Sequence, residues 1–296
     1  MIIDETINVR DSHLTNGLIP VIRIMSKVVK SQDETLEIDF SHTQFISPVF
    51  ALSLVVFLSG YGKHYTLTNI TDYLRIIGFN SGGIRPDQMR NSEFLATMEA
   101  FIRKKYIPIV NFPAKSFSDE KDFVSSVVEN VIISQFKIPS NVATGLKYLI
   151  EETLDNITEH SDSDRGFIFV QGYPNKGFID LCIADRGITL LGSYQKQPDN
   201  EISTDLEAIK AANRRFSSKN RPEAENRGFG IYTTKKMLTE GLGGQYLMLS
   251  GGNFYLKTPV FNSFYSLPDG LRWNGTIVAL RIPYNISQFN YVDYIE

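Results

Sequence analysis

Residues 151–160 read Glu-Glu-Thr-Leu-Asp-Asn-Ile-Thr-Glu-His, and they close a long helical pattern near the middle of the chain. Glu152, Asn156 and His160 follow one another at intervals of four residues, which places them along one stripe of a helix. At about 100° per residue, this stripe borders the apolar face of the helix. The apolar face is made by Leu146, Leu149, Ile150, Thr153 and Ile157. We therefore expect polar side chains that are held by packing and remain accessible, as a functional site requires.

The composition is that of a soluble globular protein. The 296 residues are 42% hydrophobic and 21% charged, and the formal net charge is -3 at pH 7. This balance gives no global electrostatic reason to expect binding to nucleic acid. The longest apolar run, from Val49 to Leu58, is about half of what a membrane span needs. We therefore expect neither nucleic acid nor a membrane as a partner.

The cysteine usage and the N-terminus both favour a cytoplasmic location. Cys182 is the single cysteine and lies within an apolar run, where it is expected to be a small buried side chain. A lone cysteine forms no internal disulfide, which suits a reducing compartment. Residues 1–10 are a strand-like stretch of Ile and Val with acidic residues and do not have the basic-then-apolar order of a secretory signal.

The first 86 residues alternate strand and helix patterns and predict a small α/β domain. Strands are expected at 2–9, 36–40 and 65–69, and helices at 14–29, 49–58 and 71–77. Pro48 suits the first turn of the second helix, Ser47 is its expected N-cap, and Gly78 is expected to end the third helix.

This order of elements resembles a STAS domain, the fold of bacterial anti-anti-sigma factors. The resemblance rests on residues 39–41 (Asp-Phe-Ser) and 45–48 (Phe-Ile-Ser-Pro) before an apolar helix, and on the closing segment 72–79. It implies a protein partner that binds through this domain. In that family the strand leads into Asp-Ser-Ser-Gly, whose second serine is phosphorylated, whereas Val49 occupies that position here. The phosphorylation switch is then lost or moved, with Ser47 as one alternative acceptor.

A boundary is expected near Ser81-Gly82-Gly83 and Pro86. We predict a linker over 87–105, with a helix from about Phe94, and a second domain over 106–296. The second domain is expected to contain a strand at 106–112, helices at about 120–136, 140–160, 206–214 and 231–239, strand pairs at 167–172 with 178–184 and 246–249 with 254–257, and a last strand at 275–282. Ser140 or Asn141 is the expected N-cap of the helix that ends at His160.

Several residues of the second domain suit a nucleotide. The amide oxygen of Asn156 is a ligand type that Mg²⁺ prefers, and Glu152 can accept a proton from an attacking water or hydroxyl. Gly228 and Gly230 precede a helix, where backbone N–H groups can bind phosphate. Asp185 follows a strand and can accept a hydrogen bond from the exocyclic amine of a base. No P-loop pattern is present in the sequence, so a Walker-type ATPase is not expected.

Residues 106–283 resemble the GHKL ATPase family, which includes gyrase, large heat-shock chaperones, histidine kinases and mismatch-repair ATPases. Four ordered motifs carry the resemblance. They are residues 152–160, similar to the N box and especially to its form in anti-sigma serine kinases; 185–189 (Asp-Arg-Gly-Ile-Thr), similar to the G1 box; 227–232 (Arg-Gly-Phe-Gly-Ile-Tyr), similar to the G2 box; and Gly275-Thr276, similar to the start of a late strand. The resemblance implies the Bergerat fold, a two-layer α/β sandwich with a mixed, mainly antiparallel sheet.

The family resemblance also implies roles for individual residues. Glu152 would be the catalytic base, and Asn156 would hold Mg²⁺. The nucleotide-binding residues would be Asn156, His160, Asp185, Gly187, Arg227, Gly228, Gly230 and Thr276, with Asp185 on the adenine amine and Thr276 supporting it through water. Residues 191–227 would be a lid that orders over ATP, with Ser217, Ser218 and Lys219 as candidates for phosphate contact. Thr189 departs from the family, which has a second glycine there, so the start of the lid is expected to be stiffer or further from the nucleotide.

Three functions remain open from the sequence. The first is an ATP-dependent signalling enzyme that hydrolyses ATP or phosphorylates a protein serine or threonine, and it is favoured by the presence of Glu152. The second is a non-catalytic switch in which ATP orders the lid and controls partner binding. The third is an α/β protein without nucleotide. No dimerisation helix with a phosphoacceptor histidine is evident, and the oligomeric state stays open, with a homodimer among the alternatives.

Overall fold

The computed structural model describes residues 2–4, 13–43, 46–62, 64–114, 118–198, 200–214, 230–286 and 289–294. The strands are β1 Ile2–Asp4, β2 Thr35–Asp39, β3 His64–Thr68, β4 Val110–Pro113, β5 Arg165–Tyr173, β6 Phe178–Asp185, β7 Gln245–Gly251, β8 Asn253–Lys257, β9 Asn262–Ser266 and β10 Trp273–Pro283. The helices are α1 Thr15–Lys30, α2 Pro48–Ser59, α3 Asp72–Ile76, α4 Asn91–Glu99, α5 Ser118–Phe136, α6 Ser140–His160, α7 Leu190–Gln195, α8 Asp205–Ala212 and α9 Gly230–Lys236. A π-helical turn, Met237–Gly241, continues α9.

The strands form two sheets, and the expected mixture of helices with a mainly antiparallel sheet is confirmed. The first sheet has three parallel strands in the order β1-β2-β3. The second has seven strands in the order β4-β5-β6-β10-β7-β8-β9, and all its strand pairs are antiparallel. The central position of β10 brings the chain's last strand between β6 and β7, so residues about 90 positions apart become neighbours.

Helix α2 lies between the two sheets and is buried on nearly every side. Ser47 caps it by accepting a hydrogen bond from the backbone N–H of Phe50 at 3.3 Å, and Pro48 opens its first turn, both as predicted. One face of the seven-stranded sheet belongs to the same hydrophobic cluster as α1 and α2. The sheet residues of that cluster include Phe167, Phe169, Cys182, Ala184, Leu247, Leu249, Ile277 and Ala279. They alternate along their strands, as side chains on one face of a sheet must.

The opposite face of the large sheet packs against α5, α6 and the π-helical turn after α9. Its side chains are the intervening residues, including Ile168, Val170, Leu181, Ile183, Met248, Val278 and Leu280. Because both faces are covered, strands such as β6 are almost continuously apolar. This pattern follows from burial on two sides. The functional residues are therefore expected at strand ends and helix edges, where the apolar layers stop.

The hydrophobic core crosses the region in which the sequence predicted a domain boundary. Ile109, just before β4, belongs to the cluster around α1 and α2. Helix α4 lies within the predicted linker, but Phe94 and Met98 are fully buried in the cluster around α5 and α6. The ring of Phe94 lies 5.9 Å from that of Phe123. Residues 87–105 are thus integrated into the core in this structure.

Two local predictions need correction. Neither Ser140 nor Asn141 caps α6: the N-cap position is Pro139, and no side chain accepts a hydrogen bond there, because Ser140 is already in the first helical turn. The helix predicted at about 206–214 is present as α8, but the sequence analysis missed the short helix α7, which begins at Leu190. Within the residues that the structure describes, no helix combines the length and the apolar character needed to cross a membrane.

Candidate functional site

A cavity opens where α6 ends beside the ends of β6, β7 and β10. Its volume is about 100 Å³, within about 1000 Å³ of space that includes the open solvent at its mouth. Its lining includes Thr153, Asn156, Ile157, His160, Ile183, Asp185, Ile188, Thr189, Leu190, Ser193, Tyr194, Ile231, Thr234, Met248, Thr276 and Val278. The walls are thus mostly apolar, with a few polar groups that converge from separate motifs. This combination is typical of a site for a small molecule.

Asp185 is the most deeply placed charged residue of the cavity and is 0% exposed. Its Oδ1 accepts a hydrogen bond from the backbone N–H of Gly187 at 2.7 Å, and its Oδ2 accepts one from the backbone N–H of Thr276 at 3.1 Å. Burial raises the pKa of Asp185 to about 7, although both hydrogen bonds oppose the shift. Two sequence motifs 91 residues apart therefore hold one carboxyl group in a fixed orientation.

Gly275 makes this approach possible. Its φ is +94°, and a Cβ at this position would lie 2.4 Å from Oδ1 and 2.5 Å from the carbonyl oxygen of Asp185. A side chain would therefore be both strained and sterically blocked. The register of β10 against β7 shifts between Trp273 and Thr276, which places this irregularity beside the cavity. The predicted Gly275-Thr276 pair contacts Asp185 through its backbone.

Gly187 joins the loop after β6 to the end of α6. A Cβ on Gly187 would lie 1.8 Å from the carbonyl oxygen of Ser161, so only glycine fits. The backbone N–H of Ile188 donates to that same carbonyl at 2.6 Å. The hydrogen bond satisfies a carbonyl at the helix C-terminus and fixes the distance between Asp185 and the polar stripe of α6.

Ser250 is a residue of the site that the sequence analysis missed. It lies in β7 and is almost fully buried. Its Oγ accepts a hydrogen bond from the backbone N–H of Leu190 at 2.9 Å and donates to the carbonyl of Gly275 at 2.8 Å, and Oγ1 of Thr276 lies 3.4 Å away. A single serine in an apolar strand gives no sequence signal.

The polar stripe of α6 is divided between two environments. Asn156 and His160 both line the cavity. The Nδ2 of Asn156 donates to the backbone carbonyl of Glu152 at 2.6 Å, which leaves its Oδ1 as the atom available to a ligand. His160 is about one-third exposed at the end of the helix. The side-chain amide of Asn156 is therefore pre-oriented by its own helix.

Glu152 lies one turn away from Asn156, towards the start of α9. A Cβ on Gly230, the first residue of α9, would lie 2.0 Å from its Oε2. The Tyr148 hydroxyl is hydrogen-bonded to the same carboxylate. Burial, followed by the nearby charge of Asp155, raises the pKa of Glu152. A carboxylate with a raised pKa that stays partly accessible has the properties of a general base.

The predicted lid contains ordered, anchored parts. Thr189 is extended, with φ −71°, and its hydroxyl caps α7 by accepting from the backbone N–H of Gly192 at 3.2 Å. Asp205 at the start of α8 accepts from the backbone N–H of Gly252 at 2.9 Å and pairs with Arg272 at 2.8 Å. The predicted residues Ser217, Ser218, Lys219, Arg227 and Gly228 lie outside the described residues.

Arg186 connects the site with the N-terminal half of the chain. It stands between Asp185 and Gly187, and its guanidinium reaches the C-terminal end of α2. A Cβ on Gly60 would lie 2.2 Å from its Cζ, and its Nη1 donates to Oγ of Ser59 at 3.4 Å. A cation at the negative end of a helix is favourable. The loop that fixes Asp185 therefore also contacts the helix between the two sheets.

No protein-family model matches this chain, and no curated protein matches it significantly in sequence. The arrangement of its own residues is therefore the basis for assigning a function.

Proposed function

We propose that this chain binds ATP together with Mg²⁺ in the cavity at the end of α6, and that residues 106–296 form a GHKL-type, Bergerat-fold ATP-binding unit. The observation that carries the proposal is the buried carboxyl of Asp185. Burying a carboxyl is costly unless a partner stabilises it. Among the described residues, its partners are two backbone N–H groups and no cation. The exocyclic amine of adenine would supply a further hydrogen-bond donor in a mostly apolar cavity.

The residues along α6 fit the phosphate end of such a ligand. Asn156 presents an amide oxygen, which is a suitable ligand for Mg²⁺. The metal ion would be held by this oxygen, by phosphate oxygens and by waters. When bound, it would neutralise phosphate charge. A metal held in this way needs no cluster of protein carboxylates. Among the described residues, no group of three or more His, Cys, Asp or Glu side chains is placed so that it could hold a metal ion. Gly230 begins α9, at the expected phosphate-binding helix.

We further propose that the bound ATP is hydrolysed or donates its terminal phosphate to a protein serine or threonine. Glu152 would accept the proton of the attacking water or hydroxyl. The raised pKa of this carboxylate makes it a stronger proton acceptor than an exposed glutamate. The Tyr148 hydroxyl would hold it in place, and Tyr148 keeps its own proton, because burial raises its pKa to about 12. The activity is thus that of a signalling ATPase or an anti-sigma-type kinase.

The first test is nucleotide binding by the full chain, measured by calorimetry and by the shift in melting temperature with saturating Mg-ATP. We expect binding by the wild-type chain and at least tenfold weaker binding by Asp185→Asn, since an amide would turn a donor towards one of the two backbone N–H groups. Ser193→Ala, which changes another cavity residue, is the matched control and should bind normally. If the wild-type chain neither binds Mg-ATP nor gains stability from it, the proposal is wrong.

The second test separates catalysis from binding. Glu152→Gln keeps the size of the side chain and removes the proton acceptor. A loss of turnover of about 100-fold with an unchanged affinity for ATP is expected for a general base. If the wild-type chain and Glu152→Gln both bind ATP and show equal, negligible turnover, an enzymatic function is excluded.

A second candidate function is a non-catalytic switch, and the contact of Arg186 with α2 favours it. The N-terminal half contains the parallel strands and helices of a small α/β domain. Its sequence resembles a STAS domain, a fold that binds protein partners. ATP that orders the loop after Asp185 would change the contact of Arg186 with Ser59 and Gly60. In this case Mg-ATP alters hydrogen exchange in residues 48–60, and Arg186→Ala removes that response without removing ATP binding. An exchange pattern that ATP does not change would refute the switch.

A further inference from the structure

The two edges of the seven-stranded sheet differ in how their backbone groups are covered. At one edge, β4 is covered by the preceding segment: the backbone N–H of Ile84 donates to the carbonyl of Ile109 at 2.7 Å, and the N–H of Asn111 donates to the carbonyl of Ile84 at 2.8 Å. At the other edge, β9 pairs only with β8 among the described strands. Natural proteins usually protect an exposed edge with charges, proline, bulges or a covering segment.

The edge at β9 lacks these protections. Residues 258–268 read Thr-Pro-Val-Phe-Asn-Ser-Phe-Tyr-Ser-Leu-Pro, with no charged residue and with both prolines outside the strand. Val260 is 93% exposed, Phe261 is 42% exposed and Tyr265 is 38% exposed. The rings of Phe261 and Tyr265 stack on one side of the hairpin. Exposed apolar side chains beside an uncharged edge strand are a feature of strand-pairing surfaces.

The hydrogen bonds of the hairpin show which backbone groups point outward. Thr258 and Phe261 exchange backbone hydrogen bonds across the turn, and the N–H of Leu267 donates to the carbonyl of Gly252. In an antiparallel pair, inward- and outward-pointing residues alternate along each strand. The odd-numbered residues of β9 therefore bond to β8, and Asn262, Phe264 and Ser266 direct their N–H and C=O groups away from the sheet.

We propose that β9 is a dimerisation strand, which pairs in antiparallel fashion with β9 of a second copy of this chain about a two-fold axis through Phe264. In this register Phe264 faces Phe264 of the partner subunit, and Asn262 faces Ser266 of the partner subunit. All three outward-pointing residues then exchange hydrogen bonds, which gives six bonds and one continuous 14-stranded sheet. If the register shifts by two residues, one of the three outward-pointing residues no longer faces a residue of the partner subunit's β9.

The strand itself favours a second copy over a strand from another protein. In a two-fold interface each residue meets the same stretch of sequence, so a charge near the axis would meet a like charge. Residues 258–268 carry none, and the Nζ of Lys210, 5.7 Å from the centroid of the Phe264 ring, is attracted to the face of that ring in its own subunit. A groove beside the edge, lined by Leu206, Lys210, Asn253 and the residues of β9, leaves room for the side chains of the partner subunit's strand. A single strand pair buries little area, so we expect a dissociation constant on the order of 10 μM.

The experiment measures the mass of the full chain by sedimentation and light scattering between ~1 and ~200 μM, a range that brackets the expected constant. The chain mass is 33.5 kDa, so we expect a shift towards twice this value. Two matched variants test the register. Asn262→Lys with Ser266→Lys places lysines opposite each other twice, and we expect at least tenfold weaker association. Asn262→Lys with Ser266→Glu places Lys opposite Glu twice, and we expect dimerisation to return.

Each outcome decides the proposal. Both variants change the same two exposed positions and keep the outward N–H groups, so equal circular dichroism spectra and melting temperatures would show that folding is not the cause. A monomeric wild-type chain at the highest concentration overturns the proposal, including the case in which β9 pairs with a strand of a different protein. A dimer that the double-lysine variant does not weaken overturns it as well. Failure of the Lys–Glu variant to dimerise overturns the register centred on Phe264.

Discussion

The carboxylate of Glu152 lies directly against the backbone of Gly230, so that a methyl group on Gly230 would come within 2.0 Å of Oε2. The two residues belong to motifs 78 positions apart in the sequence. Their contact places the proposed proton acceptor at the N-terminal end of α9, where phosphate is expected to bind. The flexible end of a glutamate can move away at little cost, so this contact matters more for chemistry than for folding.

Gly230→Ala should therefore lower ATP turnover by at least tenfold while changing the melting temperature by no more than a few degrees. The added methyl displaces the Glu152 carboxylate, and alanine is a good helix former at the start of α9. Steady-state phosphate release and thermal unfolding are the measurements. Gly62→Ala is the control, because a Cβ there meets nothing within 4 Å. Normal turnover in Gly230→Ala would show that the position of Glu152 does not limit the reaction.

The pKa of Asp185, raised to about 7 by burial, predicts a pH-dependent preference for the adenine base. The ionised carboxylate accepts the hydrogen bond of the adenine amine, and the protonated form is a poorer acceptor. Because about one-tenth of the carboxyl is ionised at pH 6 and about nine-tenths at pH 8, the preference for ADP over IDP should rise up to about ninefold between these values. The ratio of the two affinities cancels the ionisation of the phosphates. A constant ratio would contradict the assignment of Asp185 to the base.

Gly275→Ala should destabilise the fold by about 2–4 kcal/mol, because it adds left-handed strain and a clash with Asp185. Gly270→Ala is the matched control. Gly270 also has a positive φ, of +81°, but a Cβ there meets no atom within 4 Å, so its cost should be about 1 kcal/mol. Denaturant unfolding measures both. Equal costs would mean that the site relaxes around the added methyl group.

A buried ion pair on the central strands makes a separate prediction about stability. Arg281 in β10 and Asp180 in β6 face each other and form two hydrogen bonds of 2.7 Å. Arg281→Met removes the guanidinium that makes these two hydrogen bonds with the buried carboxylate of Asp180 and should cost about 3–5 kcal/mol of unfolding free energy. The double variant Asp180→Leu with Arg281→Met should recover much of this loss. If the double variant is the less stable of the two, the pair is not the source of the cost.

The sequence predicted the elements well where a single helix or strand has its own pattern. The apolar run of α2, its Ser47 cap and the long helix ending at His160 were all recognised because capping and periodicity are local properties. The sequence could not show what covers α2, since an all-apolar helix indicates burial and not its neighbours. The strand β9 was missed because its sequence, Asn-Ser-Phe-Tyr-Ser, does not alternate apolar and polar residues.

Within the site, the motifs predicted that Asn156, Asp185 and Thr276 lie together, and the structure adds how they are held. Asp185 and Thr276 meet through a backbone N–H, which a side-chain pattern does not reveal. Thr189 was expected to make the start of the lid stiffer or set it further from the nucleotide, and it is the N-cap of a short helix, where its hydroxyl accepts a backbone hydrogen bond that a glycine cannot accept. The effect of this cap on nucleotide affinity stays a prediction.

The position of α2 between the two sheets limits how the sequence of such a chain can evolve. A helix that serves as the core of two sheets at once has no side on which substitutions are neutral. Recombination that joined residues 106–296 to an unrelated N-terminal half would leave Phe167, Phe169 and Leu249 facing a surface of the wrong shape. The two halves are therefore expected to share one lineage, with compensating substitutions on either side of α2.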